Sequence, residues 1–377
     1  MVSRSEPTPL ALILAERIRS HGPITFAEYM EACLYHPVHG YYTKPEQQTR
    51  RDYFTSVDAS PLFGRLLARQ FQEMWCVLGR PETFRLVEAG AGTGQLAGQI
   101  LDFALAEWPD LYEALRFTAV ERSAARRALQ PESTAAHIAR GKFASQDELR
   151  DEIACGCIFS NELIDAMPVH RVVRERGDLH EIHAGLGKNG FCDEMGPLSS
   201  SSLGEYLSEQ NIDLREGQQA EVNLAACRWI GEAGQKLERG FVLTIDYGHR
   251  AKELFDERHM RGTLLAYHRH RTGEDWFRAP GEQDLTAHVN FTALDVYGRR
   301  SGLVSTGFAS QSNFLLALAR HGNFADLQPE GMSEAEQTQI RLLFKTLINP
   351  EGMGETFQVL IQHKGIEPGK LAGLQPL

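Results

Sequence analysis

The run Phe84-Arg85-Leu86-Val87-Glu88-Ala89-Gly90-Ala91-Gly92-Thr93-Gly94 constrains the chain more than any other stretch: an apolar segment ends in a carboxylate and breaks into glycines at alternate positions. Such a run predicts a buried strand feeding a ligand loop, because glycines turn tightly and let the backbone approach a ligand with no Cβ in the way. Leu96, Ile100 and Leu101 follow at helical spacing, so a helix opens directly after the loop. Strand, glycine loop and helix in that order predict an α/β fold with a cofactor at the turn.

Spacing alone leaves two cofactors open, since Gly92-Thr93-Gly94-Gln95-Leu96-Ala97 satisfies the relaxed dinucleotide fingerprint. Two details favour S-adenosylmethionine over NAD. Glu88 at the strand end suits the amino group of a methionine moiety, directly or through water, and repels a pyrophosphate. In the register that starts right after the strand, Gln95 stands where the fingerprint wants its third glycine. The cradle is therefore read as Glu88 with Gly90, Ala91, Gly92, Thr93 and Gly94. A second apolar run, Leu115 to Val120, ends in Glu121, a carboxylate suited to both ribose hydroxyls of an adenosine. NAD enzymes place an acid there too, so Glu121 does not separate the two cofactors.

The 377 residues, 42% of them hydrophobic, allow one large or two ordinary domains. The 39 basic against 50 acidic residues give a net charge of -11, which works against nonspecific attraction to nucleic acid or anionic membranes, so neither is expected as a partner. Cys33, Cys76, Cys155, Cys157, Cys192 and Cys227 form no CxxC pair and read as reduced thiols. Cys155-Gly156-Cys157 has no second pair or histidine set beside it, so no metal site is expected. Leu10 to Ala15 is too short for a signal-peptide core, and no stretch approaches a membrane span. With no targeting segment evident, the expected compartment is the cytoplasm, or an organelle matrix in a eukaryote.

Residues 1–80 read as an N-terminal helical cap, with helical patterns over Leu10 to Ile18, Phe26 to Leu34 and Phe63 to Leu78. A polar, aromatic segment between them, Tyr41 to Ser56, has loop character. Residues 81–377 read as a Rossmann-like core, with strands at Phe84 to Glu88, Leu115 to Glu121, Cys157 to Asn161, Phe241 to Asp246, Leu303 to Ala309 and Phe357 to His363. Strands separated by helical segments imply βαβ units and a mostly parallel sheet with ligands at its carboxyl ends. Two insertions interrupt it. Residues 170–218 open with short alternating runs that predict a small β-meander, and residues 247–290 are rich in His, Arg, Gly and aromatics. Within the second, His268 to Arg271 reads as a solvated loop.

Several motifs together resemble one family, the MidA-type S-adenosylmethionine-dependent methyltransferases, which include the mitochondrial complex I assembly protein arginine methyltransferase. The resemblance spans nearly the whole chain. It is carried by Gly22-Pro23-Ile24-Thr25-Phe26, His36-Pro37, Gly40-Tyr41-Tyr42, Asp52-Tyr53-Phe54-Thr55, Glu88 to Gly94 and Ser160-Asn161-Glu162-Leu163-Ile164-Asp165-Ala166-Met167-Pro168. Ile245-Asp246-Tyr247-Gly248, Gly262-Thr263-Leu264, Asp284 to Phe291 and Gly352-Met353-Gly354 extend it. One departure stands out: the family commonly has Thr-Ala/Ser-Pro-Glu where this chain has Thr55-Ser56-Val57-Asp58, a carboxylate one methylene shorter. The resemblance implies a class I methyltransferase sheet whose seventh strand, Phe357 to His363, runs antiparallel. It also implies that Phe54 and Thr55 close over the cofactor, that Asn161 joins the cofactor site, and that the acceptor is an arginine on a protein client.

Methyl transfer from a sulfonium is an in-line displacement, so the protein's main tasks are alignment and exclusion of water. A guanidinium acceptor calls for carboxylates that orient it through bidentate hydrogen bonds, and Glu162, Asp165 and Asp246 are the catalytic candidates, Glu162 first. Asp165 has an equal alternative as a helix cap before Pro168. Tyr247 and His288 are expected on the acceptor side. The competing reading is a non-catalytic assembly factor or chaperone that only binds the cofactor. A small-molecule or nucleic acid methyltransferase is third, because the base-stacking aromatic of adenine-N6 enzymes is missing after Asn161-Glu162-Leu163-Ile164.

Overall fold

The computed structural model describes residues 6–44, 61–268, 271–327, 333–349 and 353–376. These fall into two compact units. The first gathers the described residues up to position 44 with Ile164–Trp229 and His249–Val296; the second gathers residues 61–163, Ile230–Gly248 and the described residues from Tyr297 on.

In the second unit seven strands pair in the order β6-β7-β5-β4-β1-β2-β3: β1 (Phe84–Ala89), β2 (Leu115–Val120), β3 (Phe143–Gln146), β4 (Gly156–Asn161), β5 (Gly240–His249), β6 (Val304–Ser310) and β7 (Phe357–Lys364). From β3 through β5 every neighbouring pair is parallel. β7 runs antiparallel to both β5 and β6, as expected for Phe357 to His363. The run that opens β1 is apolar because both faces of this sheet are covered, and Phe84, Leu86 and Val87 are fully buried. Phe159 of β4 packs its ring 4.9 Å from Phe71 and 6.1 Å from Phe117, and burial of each such ring contributes ~2 kcal/mol.

Two features differ from the expectations. The strand β3 has no counterpart among the expected strands; it is four residues long with Ala144 and Ser145 exposed at the sheet edge, too short and polar to show a period. The helix Pro61–Val77, assigned to the cap by its place in the sequence, buries Leu66, Leu67, Phe71 and Met74 in the core of the second unit. An amphipathic pattern says that a helix has an apolar face but not which core receives it.

The first unit is built from three separated stretches of chain. Helix Pro9–His21 starts with proline at its first turn and Thr8 accepting from the Ala11 N–H. Helix Phe26–Tyr35 starts with a reciprocal capping box between Thr25 and Glu28. The expected meander is present as His170–Glu175, Asp178–Gly187 and Gly190–Gly196. Ile24–Thr25 pairs with Asp178–Gly187, and Gln219–Val222 pairs with His170–Glu175. Leu10, Phe26, Tyr29, Val169, Ala184, Leu264, Trp276 and Leu285 share one apolar cluster, so the N-terminal helices and both insertions have a common core. Arg171 is buried in it, 4.4 Å from the Trp276 ring centroid and 5.1 Å from that of Phe26. Its guanidinium donates to Asp193 Oδ1 at 2.6 Å and Gln219 Oε1 at 3.1 Å. Such a desolvated cation over two rings contributes about 2 kcal/mol. His268 and Arg271, expected in a loop, face each other as paired residues of the strands Leu265–His268 and Arg271–Gly273.

Candidate functional site

Strand register brings the expected cofactor residues of the second unit to one sheet edge. Ala89 is paired with Val120 on one side and Ser160 on the other, and Ser160 with Thr244. Gly90 and Glu121 directly follow their strands, Asn161 ends β4 and is followed by Glu162, and β5 reaches Asp246 two residues beyond Thr244. Parallel strands that end in register open a crevice at their carboxyl ends, the place where ligands bind in such sheets.

The glycine loop is held in a conformation that requires glycine: Gly90, Gly92 and Gly94 have φ of 75°, 51° and 76°. The Gly90 and Ala91 N–H groups both donate to the Val120 carbonyl, and the Gly94 N–H donates to Ala91. Gly94 is the N-cap of the helix Gln95–Glu107, so the expected helix begins where the loop ends.

The two strand-end acids differ in their surroundings. Glu121 Oε2 accepts from the Gly92 N–H at 2.9 Å, and its Oε1 from the Ser123 N–H at 2.7 Å. Each of these oxygens keeps a further lone-pair direction for a ligand hydroxyl. Glu88 is buried, and its Oε2 has no hydrogen-bond partner among the described residues. Burial pushes its carboxyl up to about 8, and the negative charge of Glu121 adds to the rise.

Beyond β4, Glu162 adopts φ 53°, a left-handed backbone that costs a non-glycine residue on the order of 1–2 kcal/mol. Its N–H donates to the Ile245 carbonyl at 3.0 Å, and its Oε1 accepts from Asn161 Nδ2 at 3.1 Å. Asp246 is fully buried and accepts from two backbone N–H groups, Leu163 through Oδ2 at 3.1 Å and its own neighbour Tyr247 through Oδ1 at 2.9 Å. Leu163 in turn lies against Gly90, where an added Cβ would come 2.9 Å from its Cδ1. Asp246 thus fixes the turn after β4 that packs on the glycine loop. The Tyr247 ring sits 3.9 Å from that of Phe357.

Asp165 and His288 belong to the first unit. Asp165 is buried, its backbone carbonyl accepts from the Ala287 N–H, and residues 162–169 form turns rather than a helix, so the capping alternative does not hold. His288 forms a cluster that the sequence reading missed. Its ring centroid lies 5.5 Å from that of His249 and 6.5 Å from that of His259. Desolvation and these two imidazoles lower it to about 4, and its Nδ1 has no hydrogen-bond partner among the described residues. His288, His259, Thr263, Glu274 and Trp276 line a cleft of ≈ 170 Å³. The histidines stand 10 to 39 residues apart along the chain, and no spacing rule joins them. Phe54 and Thr55 lie outside the described residues. Among the described residues no group of three or more His, Cys, Asp or Glu side chains has the geometry to hold a metal ion.

The edge of the second unit offers a buried carboxylate oxygen without a partner among the described residues, a second carboxylate with spare lone pairs, and a turn in which three of five residues are glycine. A ligand that brings an ammonium and a ribose diol fits this set, whereas a pyrophosphate would meet two acids.

Comparison with known proteins agrees. Residues 66–309 match the model of a family described as putative S-adenosyl-L-methionine-dependent methyltransferase. The chain is similar to a Drosophila melanogaster protein named Protein arginine methyltransferase NDUFAF7 homolog, mitochondrial, at 27% identity over 95% of this chain and 85% of the relative. It is also similar to the Homo sapiens Protein arginine methyltransferase NDUFAF7, mitochondrial, at 27% identity over 96% and 86%. A crystal structure of a Burkholderia thailandensis protein bound to S-adenosyl-homocysteine superposes with a TM-score of 0.85 at 30% identity, covering 98% of this chain and 97% of that one. A native crystal structure, also from Burkholderia thailandensis, gives 0.86 at 31% identity, covering 99% and 98%. With the family model matching well over half its length, this chain belongs to the S-adenosyl-L-methionine-dependent methyltransferases, and S-adenosylmethionine is its cofactor.

Proposed function

We propose that the enzyme methylates an arginine on a protein client, with Glu162 as the carboxylate that orients the acceptor. The observation that carries this is the backbone of Glu162, held left-handed at the carboxyl end of β4 with its carboxylate fixed by Asn161. Strain of this kind persists where the surrounding structure enforces it and gathers at reactive positions. When bound, S-adenosylmethionine supplies a methyl group on a positively charged sulfur. Glu88 takes the amino end, Glu121 the ribose, and the loop Gly90, Ala91, Gly92, Thr93 and Gly94 with Asn161 forms the wall; Phe54 and Thr55 are assigned a covering role by family resemblance. Glu162 receives two guanidinium N–H groups side by side, which aligns one nitrogen for attack. Asp246 keeps the turn after β4 in place rather than touching the acceptor. Tyr247 is assigned to acceptor contacts.

The names of the curated relatives support arginine and a protein acceptor, and they support the organelle-matrix reading over the cytoplasmic one. Among the described residues no helix is long and apolar enough to cross a membrane.

The test is Glu162→Ala. Cofactor affinity by calorimetry should stay within threefold of wild type, while transfer of labelled methyl to protein arginine, read by mass spectrometry, should drop at least 100-fold. Full transfer by the variant would remove Glu162 from the reaction. Tight cofactor binding by the wild type with no labelled protein in any extract would favour the assembly-factor reading.

A further inference from the structure

The glycine loop is braced from a direction that no sequence motif marks. Gln130 is fully buried, and its Nε2 donates to the Gly92 carbonyl at 3.1 Å. A Cβ at Gly94 would come 3.2 Å from the Gln130 side chain, so loop and glutamine are in direct contact. Gln130 opens the helix Pro131–Ala139, whose Ser133 Oγ shares its one proton between the Gln130 carbonyl at 3.3 Å and the Thr93 carbonyl at 3.4 Å, and whose Thr134 Oγ1 donates to the Gln130 carbonyl at 2.7 Å. This helix is itself pinned. Buried His137 bonds the Tyr112 hydroxyl through Nδ1 at 2.8 Å and Asp102 Oδ1 through Nε2 at 3.1 Å. At Gly98 the following helix comes so close that a Cβ would lie 2.7 Å from the Ser133 carbonyl.

The Gly92 carbonyl is therefore tied to Gln130 at the head of an anchored helix, and the Thr93 carbonyl lies against the Ser133 hydroxyl of the same helix. In a trans peptide the N–H points opposite to the carbonyl, so fixing the Gly92 carbonyl on Gln130 turns the Thr93 N–H to the other side of the loop. The Gly92 N–H is already fixed on Glu121. Gln130 Oε1 is buried and has no hydrogen-bond partner among the described residues, so the group's contribution here is its donor.

We propose that Gln130 is a positioning residue for cofactor binding: it sets the orientation of the Gly92–Thr93 peptide and so preorganises the loop. A leucine of similar volume removes the donor along with the unsatisfied oxygen, so the fold should tolerate it while the loop loses its brace.

Three measurements on the full chain test this. In Gln130→Leu, thermal unfolding should stay within about 3 °C of wild type, calorimetric affinity for S-adenosylhomocysteine should fall at least tenfold, and loop amides of the ligand-free protein should exchange hydrogen at least tenfold faster with those of β2 unchanged. In Gln130→Glu, a protonated carboxyl can donate to Gly92 and an ionised one cannot. The affinity deficit of this variant relative to wild type, measured at each pH, should therefore shrink as pH falls from 8 to 5.5. Unchanged loop exchange together with affinity within twofold of wild type in Gln130→Leu would overturn the proposal. So would losses that only track a lowered melting temperature, with no recovery of Gln130→Glu in acid.

Discussion

The two units keep ionisable groups out of water in opposite ways. The second buries an acid, Glu88, beside another acid, and the cost of a bare carboxylate there pushes its titration up to about 8. The first half-buries a base, His288, among two further imidazoles, and the cost of an imidazolium there pushes its titration down to about 4. Both groups are neutral near pH 7 by the same physics, the penalty for charge in a medium of low polarity, yet their linkage to stability has opposite sign. A neutral acid under a glycine loop awaits a cation to ionise it. A neutral imidazole in a cleft is available for hydrogen bonding and cannot act as an acid.

The largest expected effect tests the loop that closes over the acid. Gly92→Val puts a β-branched side chain at φ 51°, and calorimetry should show at least a 100-fold loss of S-adenosylmethionine affinity. Unchanged affinity would remove the loop from the site and with it the role given to Glu88.

The next effect reads the acid itself. Glutamate in the unfolded chain titrates near 4.5, so between that pH and about 8 the folded state holds a proton that the unfolded state has released. Stability contributed by Glu88 is therefore complete below pH 4.5 and is lost as pH rises through 8. Glu88→Gln removes this loss, and at pH 8 the variant should be more stable than wild type by about 2 kcal/mol, measured by denaturant unfolding. A variant that is less stable at pH 8 would show that Glu88 has a counter-charge and is not a neutral acid.

The smallest effect carries the opposite sign. The unfolded imidazole titrates near 6.5, so the contribution of His288 is present above that pH and is lost as pH falls toward 4. His288→Gln should flatten the acid side of the stability profile, with a gain of about 1 kcal/mol at pH 5. Identical acid limbs for the two proteins would mean that the cluster opens to water when it charges.

Much of the second unit is legible before folding. The strand β1 is mostly apolar, with Phe84, Leu86, Val87 and Ala89, because the sheet is covered on both faces, and the glycines after it occur where a positive φ is needed, so residue type alone reports the geometry. Glu88 and Glu121 are legible for the same reason, since a carboxylate that closes a buried strand must stand at its end. The strand β3 is not legible, because four residues at a sheet edge carry no periodic signal. Gln130 is silent as well: its contact with Gly92 spans 38 residues and depends on how one helix lies against another.

The first unit reverses this. Its helices are announced by caps at Thr8 and at Thr25 with Glu28, but its core joins residues as distant as Leu10 and Leu285. Asp246 changes role on folding, from a carboxylate at a strand end that reads as reactive to one engaged by the N–H groups of Leu163 and Tyr247.

Local chemistry along the chain therefore determined the parallel sheet, the ligand loop and the acids beside it, because backbone preference and strand burial act over a few residues at a time. Tertiary packing decided which acids lie buried beside one another, which histidines meet, and which helix braces the loop. Desolvation and hydrogen-bond partners at those positions come from segments far away in sequence, and only the folded chain brings them within reach.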